Sequence, residues 1–476
     1  MIVAYNSFDQ GFPIEDVDLQ VRLPVPKNQH EEADKRQAAE SSINETTDID
    51  WRFTVKVGFY RYKQLAGAVE RGNSFNKKEE LNNERKFTAF LNKKLDDQTI
   101  SKNKMFLEYL LPMITLYEDC TKDEYQKIDN FLMPIWVFNN LTAKTILSRQ
   151  KTLDYVECIL KPNSTTIELI ESLANKYCEK NVKMDISNIQ KKYQQNIAAM
   201  RRVFLMAVNG FKNDGNGMNE DKDFSCFLDG YNERIATHSA SEGCNEPPLT
   251  HSAKLFLDFF KGCIKEKLNK LSKEDLLEHR TNSGGCKLMV QAVANILGLP
   301  DSDQLIDQLE FNSDGDHSKE KDEYKNNLNV LLQLQGEANV IFNDAISLYK
   351  EVEENEYSAE LPYKDKNSAG NWLKEEIKEY HKKIYVFTNT ITNFLMKLNI
   401  NVKKDKALVN VQRYLKLISS GLSGVPLWSC FLTNRYYLTD QQQDINIETI
   451  KKVVDEYLAP NQDLQYSFFN NCSIIL

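Results

Sequence analysis

The chain lacks the features that mark several common classes of protein. It has no run that approaches the roughly 18 apolar residues needed to cross a membrane, so we expect no membrane span. Basic side chains are outnumbered, with Lys+Arg 60 against Asp+Glu 69 and a net charge of −9, which argues against a nucleic-acid-binding surface. The nine cysteines are scattered and never form a C-x-x-C pair, which predicts reduced thiols and no zinc site.

Targeting signals are also missing near the N-terminus. Residues 1–5 (MIVAY) lack the basic region and the apolar core of a signal peptide. The segment that follows is acidic and does not have the Arg- and Ser-rich composition of a transit peptide. We therefore expect a soluble, intracellular protein that resides in the cytoplasm or, after removal of a transit peptide, in a plastid.

Strand-like sequence is scarce, and helical periodicity fills most of the chain. Only residues 51–57 alternate clearly between apolar and polar side chains. Residues 1–50 are polar and predict an irregular N-terminal extension that is extended or disordered. Residues 51–476 predict a single all-α domain with a polar loop at 311–328. Its predicted helices are 83–95, 104–117, 123–138, 165–179, 186–210, 252–271, 273–279, 286–297, 326–357, 371–398, 404–420 and 446–458.

One predicted helix carries a polar stripe within an apolar sequence. Asn343, Ser347 and Glu351 stand four residues apart, so successive members are rotated by only about 40° on an α-helix and share one face. Their neighbours are apolar, which favours an inward face, and three buried polar groups are costly unless something binds them. An amide, a hydroxyl and a carboxylate oxygen suit Mg²⁺. The alternative, from spacing alone, is a solvated stripe on a surface helix.

Other segments carry side chains that suit an anion. Arg280 comes near the end of a predicted helix and precedes Ser283 and two glycines, which indicates a helix stop or break. This segment is either a helix end with a surface arginine or a place where Arg280 and glycine amides meet a phosphate. Lys350 lies beside the polar stripe, and Arg435 and Tyr436 follow an aromatic-rich turn, where an ordinary surface pair is the alternative.

These segments together resemble the class I terpene synthases. Residues 343–351 (NDAISLYKE) resemble the second metal motif of that family, N-D-x-x-S-x-x-x-E. Arg280 and residues 283–284 are similar to its diphosphate-sensing arginine and the effector region of its broken helix, and residues 435–436 to the Arg-Tyr pair that closes over the diphosphate. The resemblance covers residues from about 104 to 437. It implies an all-α helical bundle around a central active-site cavity, with Mg²⁺ as the cofactor.

The resemblance also implies a role for each candidate residue. The metal ligands are Asn343, Ser347 and Glu351. The residues that hold the diphosphate are Arg280, Lys350, Arg435 and Tyr436, of which Arg280, Arg435 and Tyr436 are the catalytic candidates. A further set forms the candidate substrate pocket, with core packing as the alternative for its two aromatic members: Trp136, Phe138, Asn139, Asn140, Ser283 and Gly284.

The chain departs from the family at the first metal motif. That motif, D-D-x-x-D, follows an aromatic-rich helix end, and the matching stretch here is 134–144 (PIWVFNNLTAK), with Asn139 and Asn140 in place of the aspartates. Neutral amides are poorer magnesium ligands than carboxylates, so we expect one metal on the second motif. A less activated site still permits displacement of a diphosphate by a neighbouring nucleophile, but it suits a long cyclisation less well.

This combination resembles the algal N-prenyltransferases of kainoid biosynthesis. The resemblance implies a Mg²⁺-dependent prenyltransferase that joins an allylic prenyl diphosphate, with geranyl diphosphate favoured, to the amine of an amino acid, with L-glutamate favoured. The alternative is a class I terpene cyclase with a degenerate first motif, which would release a cyclic or linear terpene. A third hypothesis is a catalytically silent binding protein that has kept the fold.

Overall fold

Helices make up most of the chain that the structure describes. The computed structural model describes residues 14–26, 50–60, 149–160, 166–180, 185–208, 251–265, 273–353 and 361–427, together with single residues between 127 and 141 and at 429. Of these residues, 80% are helical, which confirms the predicted all-α class. Within these ranges, no helix is both long enough and apolar enough to span a membrane.

A two-stranded sheet precedes a series of helices. The strands are β1 (Ile14–Pro24) and β2 (Asp50–Tyr60). The helices are α1 (Arg149–Leu160), α2 (Thr166–Lys180), α3 (Ile186–Val208), α4 (His251–Lys265), α5 (Lys273–Ser283), α6 (Cys286–Ile296), α7 (Ser302–Asp307), α8 (Ser318–Glu353), α9 (Lys366–Asn401) and α10 (Lys406–Leu427). Helical residues between 127 and 141 lie before α1.

Apolar periodicity predicted α2 to α6 and α8 to α10, while α1 and α7 were not predicted. The second half of the predicted loop 311–328 was wrong, because α8 already begins at Ser318. The first turns of α8 are mostly exposed and bury only Tyr324 and Leu328, so they carry too few apolar residues to show the helical period. The predicted helices 83–95, 104–117 and 446–458 lie outside the described residues.

The N-terminal region contains a regular hairpin, which corrects the expectation of an irregular extension. Strand β1 pairs antiparallel with β2 along their whole lengths, and the predicted strand 51–57 is confirmed within β2. Residues 17–23 (VDLQVRL) alternate between apolar and polar side chains, the pattern of a strand with one buried face. Val21 and Val57 are fully buried, so the hairpin is part of the folded core.

Helix α8 is the central element of the described bundle. It packs against α5, α6, α7, α9, α10 and β1. Helices α8 and α9 each contain 36 residues and run antiparallel, because Phe342 meets Tyr380 whereas the earlier Tyr324 meets the later Phe394. A capping box at Asp365 starts α9. The residues of the predicted polar stripe lie on about the last three turns of this central helix.

Candidate functional site

The polar stripe of α8 faces inward. Ser347, the central member of the stripe, is only 3% exposed and the neighbouring Lys350 only 4%, so this part of α8 is not a solvated surface. The Ser347 hydroxyl donates to the Glu351 carboxylate, with Oγ and Oε1 2.8 Å apart. Asn343 and Glu351 are partly exposed, so the two ends of the stripe reach less crowded space. The helix thus brings a hydroxyl and a carboxylate oxygen together at the turn where the sequence predicts metal binding.

The predicted helix break is present between α5 and α6. Helix α5 ends at Ser283, and Gly285 adopts a left-handed conformation with φ 68° before α6 begins. The Gly284 and Gly285 amides donate to the carbonyl oxygens of Arg280 and Asn282 at 2.8 and 3.0 Å, respectively. Both amides are therefore used inside the turn, and an anion at this place would meet side chains and not these two N–H groups.

An ion pair joins the broken helix to the α8 motif. Arg280 on α5 and Asp344 on α8 are far apart in sequence, yet Nη2 of Arg280 lies 2.5 Å from Oδ1 of Asp344. The two side chains are 19% and 28% exposed, so the pair stands at the edge of the buried region. A guanidinium carries five N–H donors in all, which makes arginine a common partner of oxyanions. The structure thereby brings two separately predicted segments to one place.

Glycines allow α5 to lie close to both neighbouring helices. A Cβ atom on Gly336 of α8 would overlap the Thr281 methyl group, and one on Gly262 of α4 would stand 2.6 Å from the Ser283 backbone nitrogen. Hydrogen is thus the only substituent that fits at either position without movement. These approaches fix α5 between α4 and α8, where Arg280 meets Asp344, and sequence spacing did not predict them.

The Cys286 thiol, which is buried at the start of α6, is unreactive. Burial raises the pKa of the Cys286 thiol to about 11, and a hydrogen bond that the Asn339 side-chain N–H donates to the sulfur opposes this shift only in part. The thiol is therefore protonated at neutral pH and is not a nucleophile.

Two of the remaining candidate site residues, Ser283 and Phe138, lie within the described part of the chain, and the others do not. Ser283 donates from Oγ to the Arg280 carbonyl at 3.2 Å, so it supports the turn. Phe138 is fully buried, and its ring centroid lies 5.6 Å from that of Tyr155. It therefore has the contacts of a core residue. The other pocket and diphosphate candidates lie outside the described residues: Trp136, Asn139, Asn140, Arg435 and Tyr436.

Arg22 of the hairpin is a neighbour of the α8 motif, and the sequence did not predict this contact. The Arg22 guanidinium lies 4.3 Å from the centroid of the Tyr349 ring and donates to its hydroxyl at 3.1 Å. Arg22 also forms an ion pair with Asp50 across the hairpin. These contacts attach β1 to the turn of α8 that carries Lys350. The alternation over 17–23 would have located the strand, but no local signal indicates its partner helix.

The side chains of the stripe fit a magnesium ion in their chemistry. Carboxylate, hydroxyl and amide oxygens are hard ligands, and the contact between Ser347 and Glu351 shows that two of them converge. Across the described ranges, no group of three or more His, Cys, Asp or Glu side chains is arranged to hold a metal ion. A site here would therefore depend on the oxygens of Asn343 and Ser347 beside one carboxylate.

No protein-family model matches the chain, and no curated protein is significantly similar to it.

Proposed function

We propose that this chain is a Mg²⁺-dependent prenyltransferase with the architecture of a class I terpene synthase. It transfers the prenyl group of an allylic diphosphate, with geranyl diphosphate favoured, to the amine of an amino acid, with L-glutamate favoured. The observation that carries the proposal is the ion pair between Arg280 and Asp344. It unites the two segments that the family resemblance assigns separately to the diphosphate and to the metal.

Each residue has a defined task in this reaction. Asn343, Ser347 and Glu351 hold the metal, which, when bound, neutralises charge on the leaving diphosphate. Arg280 and Lys350 bind the phosphate oxygens, and Arg435 with Tyr436 completes this set. Arg280 exchanges part of its pairing with Asp344 for the substrate. This exchange needs only a small movement, because the pair stands at the edge of the buried region.

The bond changes follow from this arrangement. The amine nitrogen attacks C1 of the prenyl chain, the C1–O bond breaks, and the diphosphate leaves with the electron pair of that bond. The resulting ammonium loses one proton to solvent and becomes a secondary amine. Positioning the nitrogen within reach of C1 supplies much of the rate enhancement, because a bound nucleophile no longer has to find its target by diffusion.

Transfer in one step suits this chain better than cyclisation. Asn139 and Asn140 stand where a terpene cyclase carries aspartates, so the chain supplies one complete set of metal ligands, on α8. With less positive charge around the leaving group, a waiting nucleophile becomes important for reaction. A cyclase must instead hold a free cation through several rearrangements.

A product assay tests the proposal against its alternatives. Purified protein is supplied with Mg²⁺ and geranyl diphosphate, with and without L-glutamate, and both the aqueous and the organic phases are analysed by mass spectrometry. An N-geranylated amino acid supports the proposal. A volatile terpene in both conditions would identify a cyclase instead. Intact geranyl diphosphate in both conditions would support the hypothesis of a catalytically silent binding protein.

A single substitution tests the metal assignment. Glu351→Gln removes the only carboxylate of the predicted ligand set, and we expect Mg²⁺-dependent turnover to fall by about 100-fold or more. Glu323→Gln is the matched control, because Glu323 lies on the same helix, is exposed and pairs with Lys397 away from the stripe. Equal turnover in the two variants would overturn the assignment.

A further inference from the structure

The polar stripe of α8 continues beyond the predicted metal ligands. Gln335 and Asn339 precede Asn343 at the same spacing of four residues. They are only 2% and 3% exposed, so both side chains lie inside the helix bundle. Each step of four residues rotates by about 40°, so the two amides turn progressively away from the side of Asn343, and the Asn339 amide reaches α10.

Each of these amides has an oxygen that meets no hydrogen-bond donor among the described residues. The Asn339 amide nitrogen donates to the Gly421 carbonyl of α10 at 3.1 Å, which identifies Oδ1 as the oxygen that points elsewhere. Buried amide oxygens without a donor are rare in folded proteins, because nothing replaces the water that they lose. Two of them on adjacent turns of one helix mark a place built for a ligand that donates hydrogen bonds.

The chemistry of the pair favours nitrogen over a metal ion. Gln335 and Asn339 are neutral, whereas a divalent cation in a buried site is normally matched by carboxylates. A neutral primary amine has two N–H donors and one lone pair. Two acceptor oxygens would take both N–H groups and leave the lone pair free to attack.

The position along the helix fits this use. At a rise of about 1.5 Å per residue, Asn339 lies about 6 Å and Gln335 about 12 Å along the axis from Asn343. If the prenyl chain of a diphosphate held between Arg280 and the motif runs towards the start of α8, its reacting end lies close to the level of Asn339. A nucleophile has to stand about 3–3.5 Å from the carbon that it attacks, so an amine bound by these two amides would have to meet C1 at this level of α8.

We propose that Gln335 and Asn339 bind the amine of the acceptor substrate and orient its lone pair towards C1 of the prenyl chain. The inference rests on the proposed transferase function and assigns the acceptor half of that site. Both residues touch the nucleophile through hydrogen bonds that their side-chain oxygens accept. The diphosphate half, on Arg280 and the α8 motif, is separate from them.

The test separates acceptor binding from diphosphate binding in the full chain. Gln335→Met keeps the length of the side chain but removes the acceptor oxygen, and Asn339→Leu is the second variant. Mg²⁺-dependent binding of geranyl thiolodiphosphate, an unreactive analogue, is measured by calorimetry, and the KM for L-glutamate is measured in the transfer reaction. Asn329→Leu is the control, since Asn329 lies on the exposed face of α8.

We expect the KM for L-glutamate to rise about tenfold or more in both variants, while binding of the analogue and the control variant stay unchanged. The Tm of Gln335→Met should stay unchanged or rise, because its lost oxygen has no structural partner. An unchanged KM, or a parallel loss of analogue binding and Tm, would overturn the inference. Failure of the proposed function is recognised separately, because wild-type protein would then form no N-prenyl product from L-glutamate.

Discussion

At the scale of residues, the candidate site depends on the long-range ion pair between Arg280 and Asp344. It also depends on Gly336, whose lack of a side chain lets α5 lie close to α8. Arg280 and Asp344 are partly exposed, so their attraction contributes on the order of 1 kcal/mol or less to folding. The close approach of α5 and α8 is set by packing, at the point where Gly336 faces Thr281. The ion pair therefore directs the guanidinium, whereas the glycine sets the distance between the helices.

Gly336→Ala should destabilise the protein by about 1–3 kcal/mol, because its Cβ would overlap the Thr281 methyl group. The double variant Gly336→Ala/Thr281→Ser should regain this stability, since serine lacks that methyl group and keeps the hydroxyl that donates to the Leu277 carbonyl. Denaturant unfolding of the two single variants and the double variant measures the coupling. Additive effects would show that the methyl contact is not the cause.

At the scale of elements, the site is organised by a helix that stops and restarts. The sequence Ser283-Gly284-Gly285 predicts this break from its glycines, and the structure confirms it. The left-handed conformation belongs to Gly285 alone, and the turn satisfies its own amides. The break ends α5 beside α8, and α6 continues along α8 from there, while Arg280, Asn282 and Ser283 in the last turn of α5 stay partly exposed.

Gly285→Ala should lower the free energy of unfolding by about 1–2 kcal/mol, because an L-residue with a Cβ is strained at φ 68°. Gly285→Asn should lose less, since asparagine tolerates the left-handed region better than alanine. The comparison isolates backbone conformation, because the added Cβ meets Phe259 only at an ordinary 3.6 Å. Thermal unfolding of both variants gives the measurement, and an equal loss in the two would contradict this explanation.

At the scale of the whole molecule, the hairpin connects the N-terminal region to three helices. Strand β1 packs on α8, and β2 packs on α9 and α10. The Tyr363 hydroxyl donates to the Pro24 carbonyl at 2.9 Å, and the Gly58 amide donates to Nε2 of His381 at 2.7 Å. The hairpin is thus anchored at both of its strands, and one anchor is titratable.

Stability should depend on pH through His381. Burial lowers the pKa of His381 to about 4, and Nε2 accepts the Gly58 hydrogen bond only when that nitrogen is unprotonated. The unfolded chain takes up this proton near pH 6.5 and the folded chain near pH 4. The free energy of unfolding is therefore highest above pH 6.5 and falls by up to about 3 kcal/mol as the pH drops to 4.

The variant His381→Asn isolates this effect, because asparagine does not titrate. Urea unfolding of both proteins between pH 7 and pH 4 should show a steeper decline for wild type than for the variant. Carboxylates that titrate in the same range affect both proteins alike, so the difference between the two curves reports on His381. Parallel curves would exclude this residue as the source.

The sequence by itself determined most of the helices, the strand at 51–57 and the face of the motif. Helical period, the glycines after Ser283 and the spacing of Asn343, Ser347 and Glu351 are local signals, because the geometry of one helix relates residues only a few positions apart. They predicted the all-α class, the helix break and the inward stripe. The expectation of an irregular N-terminal extension was wrong for β1, although the alternating residues of β1 carry an equally local strand signal.

Only the tertiary structure decided which of these local features meet. The pairing of Arg280 with Asp344, the approach of Thr281 to Gly336 and the seat of Arg22 on Tyr349 each join segments that are distant in sequence. Such contacts arise from packing many side chains at once, and no periodicity encodes them. The same holds for the amide oxygens of Gln335 and Asn339, because whether a buried acceptor finds a donor depends on every helix around it.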